Sequence, residues 1–340
     1  PLGQLPTALA AQFVWAIVNV FSLVALLVVS IRSVRPDTEV RSRWLRASVL
    51  ALPVFFLDPV FTSVHNGQID LMLTSLVLWD LSRDQRAGRS IPTGIGLGIA
   101  SAVKLTPLIF VPYLLLTKRF RVAWTAIATF VLCESAAFAA SPRAASMYWT
   151  NDVFHYVRIG GYLGLQGLFA TTDQSLLAAL SRINHGAVPS GLLWAATAFV
   201  AVAGLLLAAR VQSRCSSFAG IVVCATTALL ISPVTWTHHM VWVVPAIVWM
   251  AFGPDRPKWG GAMTATTAIV FWAAPIWWVP SQIDSSRAIV NGSVFFVRLA
   301  GPLYENGWQL LAGDAFFLWM VLFLVVIALS ARRRSTLVST

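Results

Sequence analysis

Ser232-Pro233-Val234-Thr235-Trp236-Thr237-His238-His239-Met240-Val241-Trp242-Val243-Val244-Pro245 lies between two apolar runs, 217–231 and 240–252. Reading this stretch decides the fold. Both flanks are long enough and apolar enough to be membrane helices, so the paired histidines stand at the mouth of one. An ionisable group in or beside a bilayer is costly to place and marks a candidate functional position. His238 and His239 are therefore candidate catalytic residues. The alternative is an interfacial belt, in which Trp236 and Trp242 anchor the helix and the histidines are only hydrated.

The rest of the chain agrees with a membrane setting. Of its 340 residues 58% are hydrophobic and 11% are charged, against about 25% charged in a typical soluble domain. Apolar runs near 20 residues recur from end to end, each long enough to cross a bilayer. The expected class is all-α: a polytopic transmembrane helical bundle, one integral membrane domain over residues 1–340. The alternation that marks a membrane β-barrel is absent.

The formal charge is +11, and the basic residues are clustered. Arg32, Arg35, Arg41, Arg43 and Arg46 form one group; Arg83, Arg86 and Arg89 a second; Lys118, Arg119 and Arg121 a third. Arg210 with Arg214, Arg256 with Lys258, and Arg332–Arg334 follow. All fall in short connections, as expected of cytoplasmic loops. Because the clusters interrupt membrane spans, no nucleic-acid partner is expected. Cys133, Cys215 and Cys224 have neither CxxC spacing nor a histidine at zinc-like spacing, so they read as apolar fillers. No metal site is expected.

Predicted spans run over 9–31, 47–62, 69–82, a broken segment 91–117, 122–140, 191–209, 216–231, 239–252, 259–279 and 307–330. Segment 91–117 is interrupted at Lys104-Leu105-Thr106-Pro107 and has basic flanks on both sides, which predicts two short halves meeting at an irregular break. The count is about 11 spans of membrane-crossing length, with the first residue outside and Arg332–Arg334 inside. The start at Pro1-Leu2-Gly3 predicts one further span upstream, about 12 in a parent chain. Segments 141–190 and 280–306 become external loops. His65, His155, His185, His238 and His239 then share the outer side with Asp58, Asp152, Asp173, Asp284 and Glu305.

Three further stretches converge on that side. In Asp58-Pro59-Val60-Phe61-Thr62-Ser63-Val64-His65-Asn66-Gly67-Gln68-Ile69-Asp70, Gly67 suits a tight turn, and Asn66 and Gln68 can hydrogen-bond sugar hydroxyls; a capped helix–helix turn is the packing alternative. Asp58, in an apolar run, is expected to be neutralised by a proton or by a cationic partner. In Gly94-Ile95-Gly96-Leu97-Gly98 through Lys104-Leu105-Thr106-Pro107, small residues permit close helix packing. Lys104 beside a freed helix end is a candidate ligand for a lipid phosphate, or else a lysine snorkelling to the surface. Asp173-Gln174-Ser175 through Ser181-Arg182-Ile183 reads as an interfacial amphipathic helix with Asp173 near its N-cap. Arg182 then meets either a phosphate or lipid headgroups, and Trp277 and Trp278 read as an interfacial belt.

At these residues the chain resembles the actinobacterial polyprenol-phosphate-mannose-dependent α-(1→2)-mannosyltransferases, the phosphatidylinositol mannoside mannosyltransferase-like branch of the glycosyltransferase-C superfold. The resemblance covers nearly the whole chain. It rests on Gly67-Gln68-Ile69, Val103-Lys104-Leu105-Thr106-Pro107, Gln174-Ser175 with Ser181-Arg182-Ile183, and Ile231-Ser232-Pro233 through Trp236-Thr237-His238-His239 to Trp242 and Pro245. The last block is the most specific. The family has Asn where Asp173 stands and Glu-Pro-x-Arg where this chain has Asp58-Pro59-Val60-Phe61.

The resemblance implies mannosyl transfer from a polyprenyl-phosphate-linked donor to a glycolipid acceptor, such as a phosphatidylinositol mannoside or lipomannan, at the outer face of the cytoplasmic membrane. It implies no cofactor, since the lipid-linked sugar is a substrate, and no metal. Lys104 and Arg182 would hold donor phosphate. His238, His239 and Asp58 would serve catalysis, with the base aspartate expected upstream of Pro1 and this chain consequently inactive alone. Asn66, Gln68, Asp173, Gln174 and Trp236 would meet sugar or acceptor. The competing readings are a lipid-linked arabinofuranosyl or other sugar transferase of the same superfold, and a lipid or solute transporter without chemistry.

Overall fold

The structure, a computed structural model, describes residues 8–83, 91–152, 170–184, 188–279, 288–290, 293–295 and 307–336. Its helices are α1 (Ala8–Val34), α2 (Val40–Phe55), α3 (Asp58–His65), α4 (Asp70–Leu81), α5 (Ile95–Val103), α6 (Phe110–Leu116), α7 (Phe120–Ala140) and α8 (Pro142–Met147). They continue with α9 (Leu176–Ile183), α10 (Ser190–Arg214), α11 (Ser217–Ile231), α12 (Val243–Phe252), α13 (Gly260–Ala273), α14 (Gly307–Gly313) and α15 (Ala315–Thr336). Short 3₁₀ turns cover Thr106–Ile109, Thr237–Trp242 and Pro275–Trp277. A small antiparallel hairpin, β1 (Ala288–Val290) with β2 (Ser293–Phe295), sets Ala288 opposite Phe295 and is a minor addition to the all-α expectation. Of the predicted outer-face groups, His155, His185, Asp284 and Glu305 lie outside the described residues, as do 153–169, 185–187 and most of 280–306.

The span count of about 11 is not what the structure gives. Among the described residues three helices are long and apolar enough to cross a membrane: Ala10–Val34, Phe120–Ala140 and Ser190–Arg214. Two bent pairs, α2 with α3 at 88° and α14 with α15 at 71°, raise the number to five if each pair counts as one span. Helix length is the physical reason for the shortfall. The runs read as spans at 69–82, 216–231, 239–252 and 259–279 fold as helices of 12, 15, 10 and 14 residues. At 1.5 Å per residue these are shorter than a hydrocarbon core of roughly 30 Å. The run at 47–62 is interrupted because Pro59 opens a new helix at its first turn.

The predicted break at Lys104 is present. α5 ends at Val103, Lys104 is extended at φ −150° and ψ 125°, and a 3₁₀ turn leads into α6. The small residues before it serve close packing. A Cβ on Gly98 would come within 2.6 Å of the Ala126 carbonyl oxygen in α7, and one on Gly96 within 2.9 Å of Asp80 Cβ in α4.

α11 is the central helix. It is buried from Phe218 to Leu230, which explains why it is apolar on every face. The hydroxyls of Thr226 and Thr227 donate to carbonyls one turn back, so they need no outside partner.

Basic residues gather one set of helix ends. Arg119 donates to the Leu81 carbonyl at 3.1 Å and to Ser217 Oγ at 3.4 Å, linking the end of α4 to the start of α11. Arg214 donates to the Ala331 carbonyl of α15 at 2.6 Å. Cations at carbonyl-bearing helix ends are favourable. The other ends of α4, α5 and α11 carry Asp70, Lys104 and the 232–245 stretch, and there the site forms.

Candidate functional site

Each wall of the site is set by how its segment stops or starts. α3 ends at Asn66, and Gly67 takes φ +61°, a left-handed value that favours glycine. The Gly67 carbonyl accepts from Trp15 Nε1 at 2.6 Å, pinning this turn to α1. α4 then begins at Asp70, an acid in the first helical turn. α11 stops at Ser232, extended ahead of Pro233 as a residue before proline prefers. Thr235 Oγ1 donates to the freed Leu229 carbonyl at 2.5 Å. The 3₁₀ turn Thr237–Trp242 follows; at three residues per turn, His239 and Trp242 share an edge.

Lys104 Nζ donates to Asp70 Oδ1 at 2.6 Å. The lysine side chain is 28% exposed and the aspartate 9%. Asp70 Oδ2 is buried and makes no hydrogen bond to any of the described residues. A cavity with about 40 Å³ of water-accessible space opens here, with Asp70, Thr74, Lys104, Ser232, Thr235 and His239 on its polar side. Leu73, Val77, Phe110, Ala225, Leu229 and Trp242 form its apolar side, where the Phe110 and Trp242 rings meet at 5.7 Å. That volume holds a few waters or a small anion, so a sugar has to stand at its mouth.

Adjacent histidines are expected to diverge, with one facing the cavity. His239 lines it, but His238 also reaches Asp70. Ligand atoms of Asp70, His238 and His239 all lie within 4.8 Å of one another, and the two imidazoles meet edge-on at 4.6 Å.

Arg182, Asp173 and Gln174 do not join this cavity. Arg182 is fully buried. Its Nε donates to Asp314 Oδ1 at 2.9 Å, Nη2 binds the same oxygen, and Nη1 donates to the carbonyls of Ala170 and Asp173 at 2.9 and 2.8 Å. Gln174 Nε2 donates to the carbonyls of Thr171 and Gly313, both at 2.6 Å, and its Oε1 accepts from the Phe317 amide at 2.8 Å. Asp173 Oδ1 accepts the amides of Ser175 and Thr235 at 3.0 and 2.9 Å. Burial pushes the Asp173 carboxyl above its ordinary range, and those two amides pull against the rise. The interfacial-helix reading of 173–183 is therefore corrected. Ser175, whose Oγ accepts the Ala178 amide, is the N-cap, and the segment is packed inward with Arg182 engaged by protein.

The remaining candidates surround the cavity without lining it. Asp58 is buried, and its Oδ1 accepts from Trp277 Nε1 at 2.6 Å, so no cationic partner is found for it among the described residues, while protonation remains compatible with its burial. Thr62 and Thr237 hydroxyls stand 3.3 Å apart and join α3 to the histidine turn. Asn66 is exposed, Gln68 and Trp236 are half-buried, and Trp236 pairs with Asp173 through the backbone. The tryptophan pair divides: Trp278 is 61% exposed, as a belt residue would be, whereas Trp277 holds Asp58.

Residues 1–233 match the family model described as glycosyltransferase family 87. The chain belongs to glycosyltransferase family 87. It is similar to the polyprenol-phosphate-mannose-dependent alpha-(1-2)-phosphatidylinositol mannoside mannosyltransferase of Mycolicibacterium smegmatis, at 30% identity over 354 residues, covering 98% of this chain and 74% of that one. The Mycobacterium tuberculosis protein of the same description is 28% identical over 343 residues, with the same coverage. A pentamannoside mannosyltransferase of M. tuberculosis is 28% identical over 306 residues, covering 89% of this chain and 67% of that one. No solved structure matches. This family 87 chain is thus a helical membrane glycosyltransferase.

Sequence reasoning missed two residues of this family 87 chain: Asp70 and Asp314. Each is the carboxylate partner of a cation that was singled out, Lys104 and Arg182. The signal was available, since a buried lysine or arginine in an apolar run requires a counter-charge, and both aspartates lie in otherwise apolar segments.

Proposed function

We propose that this chain transfers a mannosyl group from a polyprenyl-phosphate mannose donor to a phosphatidylinositol mannoside or related glycolipid, forming an α-(1→2) linkage at the outer face of the cytoplasmic membrane. The observation that carries this reading is the cavity in which Lys104 and His239 stand beside an apolar wall closed by Phe110 and Trp242. Its chemistry suits a phosphate attached to a hydrocarbon chain. The similarity to polyprenol-phosphate-mannose-dependent phosphatidylinositol mannoside mannosyltransferases supports this choice of sugar, lipid carrier and acceptor class.

On this reading Lys104 shares its ammonium protons between Asp70 and a phosphate oxygen, and a histidine N–H adds a second contact. Both stabilise the charge that grows on the leaving phosphate as the glycosidic bond breaks. The acceptor hydroxyl attacks the opposite face of the sugar as the phosphate leaves, and gives its proton to a carboxylate acting as base, so a β-linked donor gives an α-linked product. The Asp58–Trp277 pair and the Asn66–Gln68 turn border the same region and suit acceptor recognition. The basic residues at the opposite ends of α4 and α11, which favour the cytoplasm, support an outer-face reading of the site. No cofactor enters, because the lipid-linked sugar is consumed as substrate.

The test is transfer of radiolabelled mannose from polyprenyl phosphate to lipid in membranes containing the chain. Label should appear in a glycolipid with an α-(1→2) linkage, an outcome that would also set aside the expectation of a chain inactive alone. His239→Ala should lower turnover at least about tenfold, equivalent to about 1.4 kcal/mol of transition-state stabilisation. Transfer of arabinose in place of mannose, or equal rates for wild type and His239→Ala at matched protein levels, would overturn the reading.

A further inference from the structure

We propose that Lys104 is a built-in substitute for a divalent cation: its ammonium occupies a metal-ligand constellation formed by Asp70, His238 and His239. The donor reading above is needed only to say what the ammonium meets, a phosphate. The constellation itself stands on geometry.

Two imidazoles and a carboxylate are a donor set suited to Zn²⁺-class ions. In this chain one ligand atom from each of Asp70, His238 and His239 falls within 4.8 Å of the others. Asp70 is more than nine-tenths buried, and its Oδ2 has no hydrogen-bond partner among the described residues, so one carboxylate oxygen is unused. Lys104 and His239 share a cavity with it. These features alone would suit a metal ion.

Lys104 decides against one in the native protein. Its Nζ lies 2.6 Å from Asp70 Oδ1, so an ammonium already stands on one of the three ligands. An ion bound to the same carboxylate would lie a few ångströms from that ammonium, and like charges at such separations in a poorly screened interior repel strongly. The three ligands bring a single negative charge when both histidines are neutral. A lysine balances it; a divalent ion added beside the lysine leaves two positive charges in excess. An ammonium also has a property that a coordinated metal lacks. It is tethered to the chain by a flexible stem, so it can lean from Asp70 toward an arriving phosphate and return without being lost.

Removing the ammonium should therefore uncover the metal site. The experiment titrates Co²⁺ into the purified chain in detergent and follows its visible absorption together with bound-metal analysis. Wild type and Lys104→Arg should take up no stoichiometric cobalt. Lys104→Met should bind one equivalent at least about 100-fold more tightly than wild type, given the repulsion removed. Adding Asp70→Asn or His239→Ala to that variant should abolish the signal. Lys104→Gln is the second variant if Lys104→Met is not monodisperse. Stoichiometric cobalt on wild type with comparable affinity would overturn the proposal, as would no cobalt on a Lys104 variant that melts like wild type. Loss of wild-type mannosyl transfer on chelation, restored by a divalent ion, would also overturn it. If the chain transfers no mannose at all, the donor reading fails while the cobalt titration still decides this one.

Discussion

Two cation–carboxylate pairs with opposite surroundings divide this molecule. Lys104–Asp70 faces a cavity, with the lysine 28% exposed and one carboxylate oxygen unbonded. Arg182–Asp314 is sealed: the arginine side chain is 0% exposed and is held by Asp314 and two backbone carbonyls. Both cations are equally plausible phosphate ligands by residue type and apolar context. The difference lies in what else surrounds them. A guanidinium whose N–H groups are already engaged by protein has little to offer a ligand. An ammonium with three rotatable donors and one close partner retains its capacity. Lone cations in apolar sequence thus mark both architecture and chemistry, and the partner decides which.

The largest effect that would break this comparison is at the sealed pair. Arg182→Ala leaves Asp314 charged and buried without its counter-ion, a loss of about 3–5 kcal/mol for a buried pair with one partner removed. The variant should lose monodispersity in detergent and melt at markedly lower temperature. A wild-type melting curve combined with lost phosphate binding would move Arg182 into the site. A smaller effect is expected at the open pair. Lys104→Met should reduce mannosyl transfer at least about tenfold, with a smaller drop in melting temperature than Arg182→Ala because Lys104 is partly exposed and Asp70 borders the cavity. Collapse of the fold in this variant would erase the distinction between the two pairs.

The smallest effect is at Asp173. Its carboxyl is raised by burial, so the folded chain holds that proton more tightly than the unfolded one. Stability therefore falls as pH rises from the ordinary carboxylate value through the raised one. Asp173→Asn keeps an oxygen to accept from Ser175 and Thr235 and removes that dependence. Its melting temperature at neutral pH should equal or slightly exceed wild type, with activity unchanged. A clear drop in either would show that the negative charge itself is required.

Much of the site was legible because it follows local chemistry. Lys104 at a helix break, Gly67 in a tight turn and the histidine pair after Pro233 all follow from residue type and spacing; Lys104 and His239 line one cavity, His238 also approaches Asp70, and the Gly67 turn lies outside the lining. The fold was legible as helical and apolar, but not in its span count. Hydropathy reports that a run is buried without reporting in what: α11 and α12 are enclosed by protein rather than lipid. The roles of Arg182 and Gln174 were illegible for another reason. Their partners lie 132 and 139 residues away, at Asp314 and Gly313, and no local pattern announces a contact at that separation.

That separation also has a consequence during synthesis. The ribosome makes Arg182 and Gln174 well before it makes the bend between α14 and α15 that receives them. Until Asp314 emerges, the guanidinium has no counter-ion within the bundle and stays in water, since an unpaired charge does not enter an apolar interior. Closure of the 170–184 segment onto the helices thus waits for α14 and α15. A nascent chain interrupted before residue 314 would carry an uncompensated arginine and an unsatisfied amide on its surface, a visible sign of incompleteness for the cell's membrane proteases.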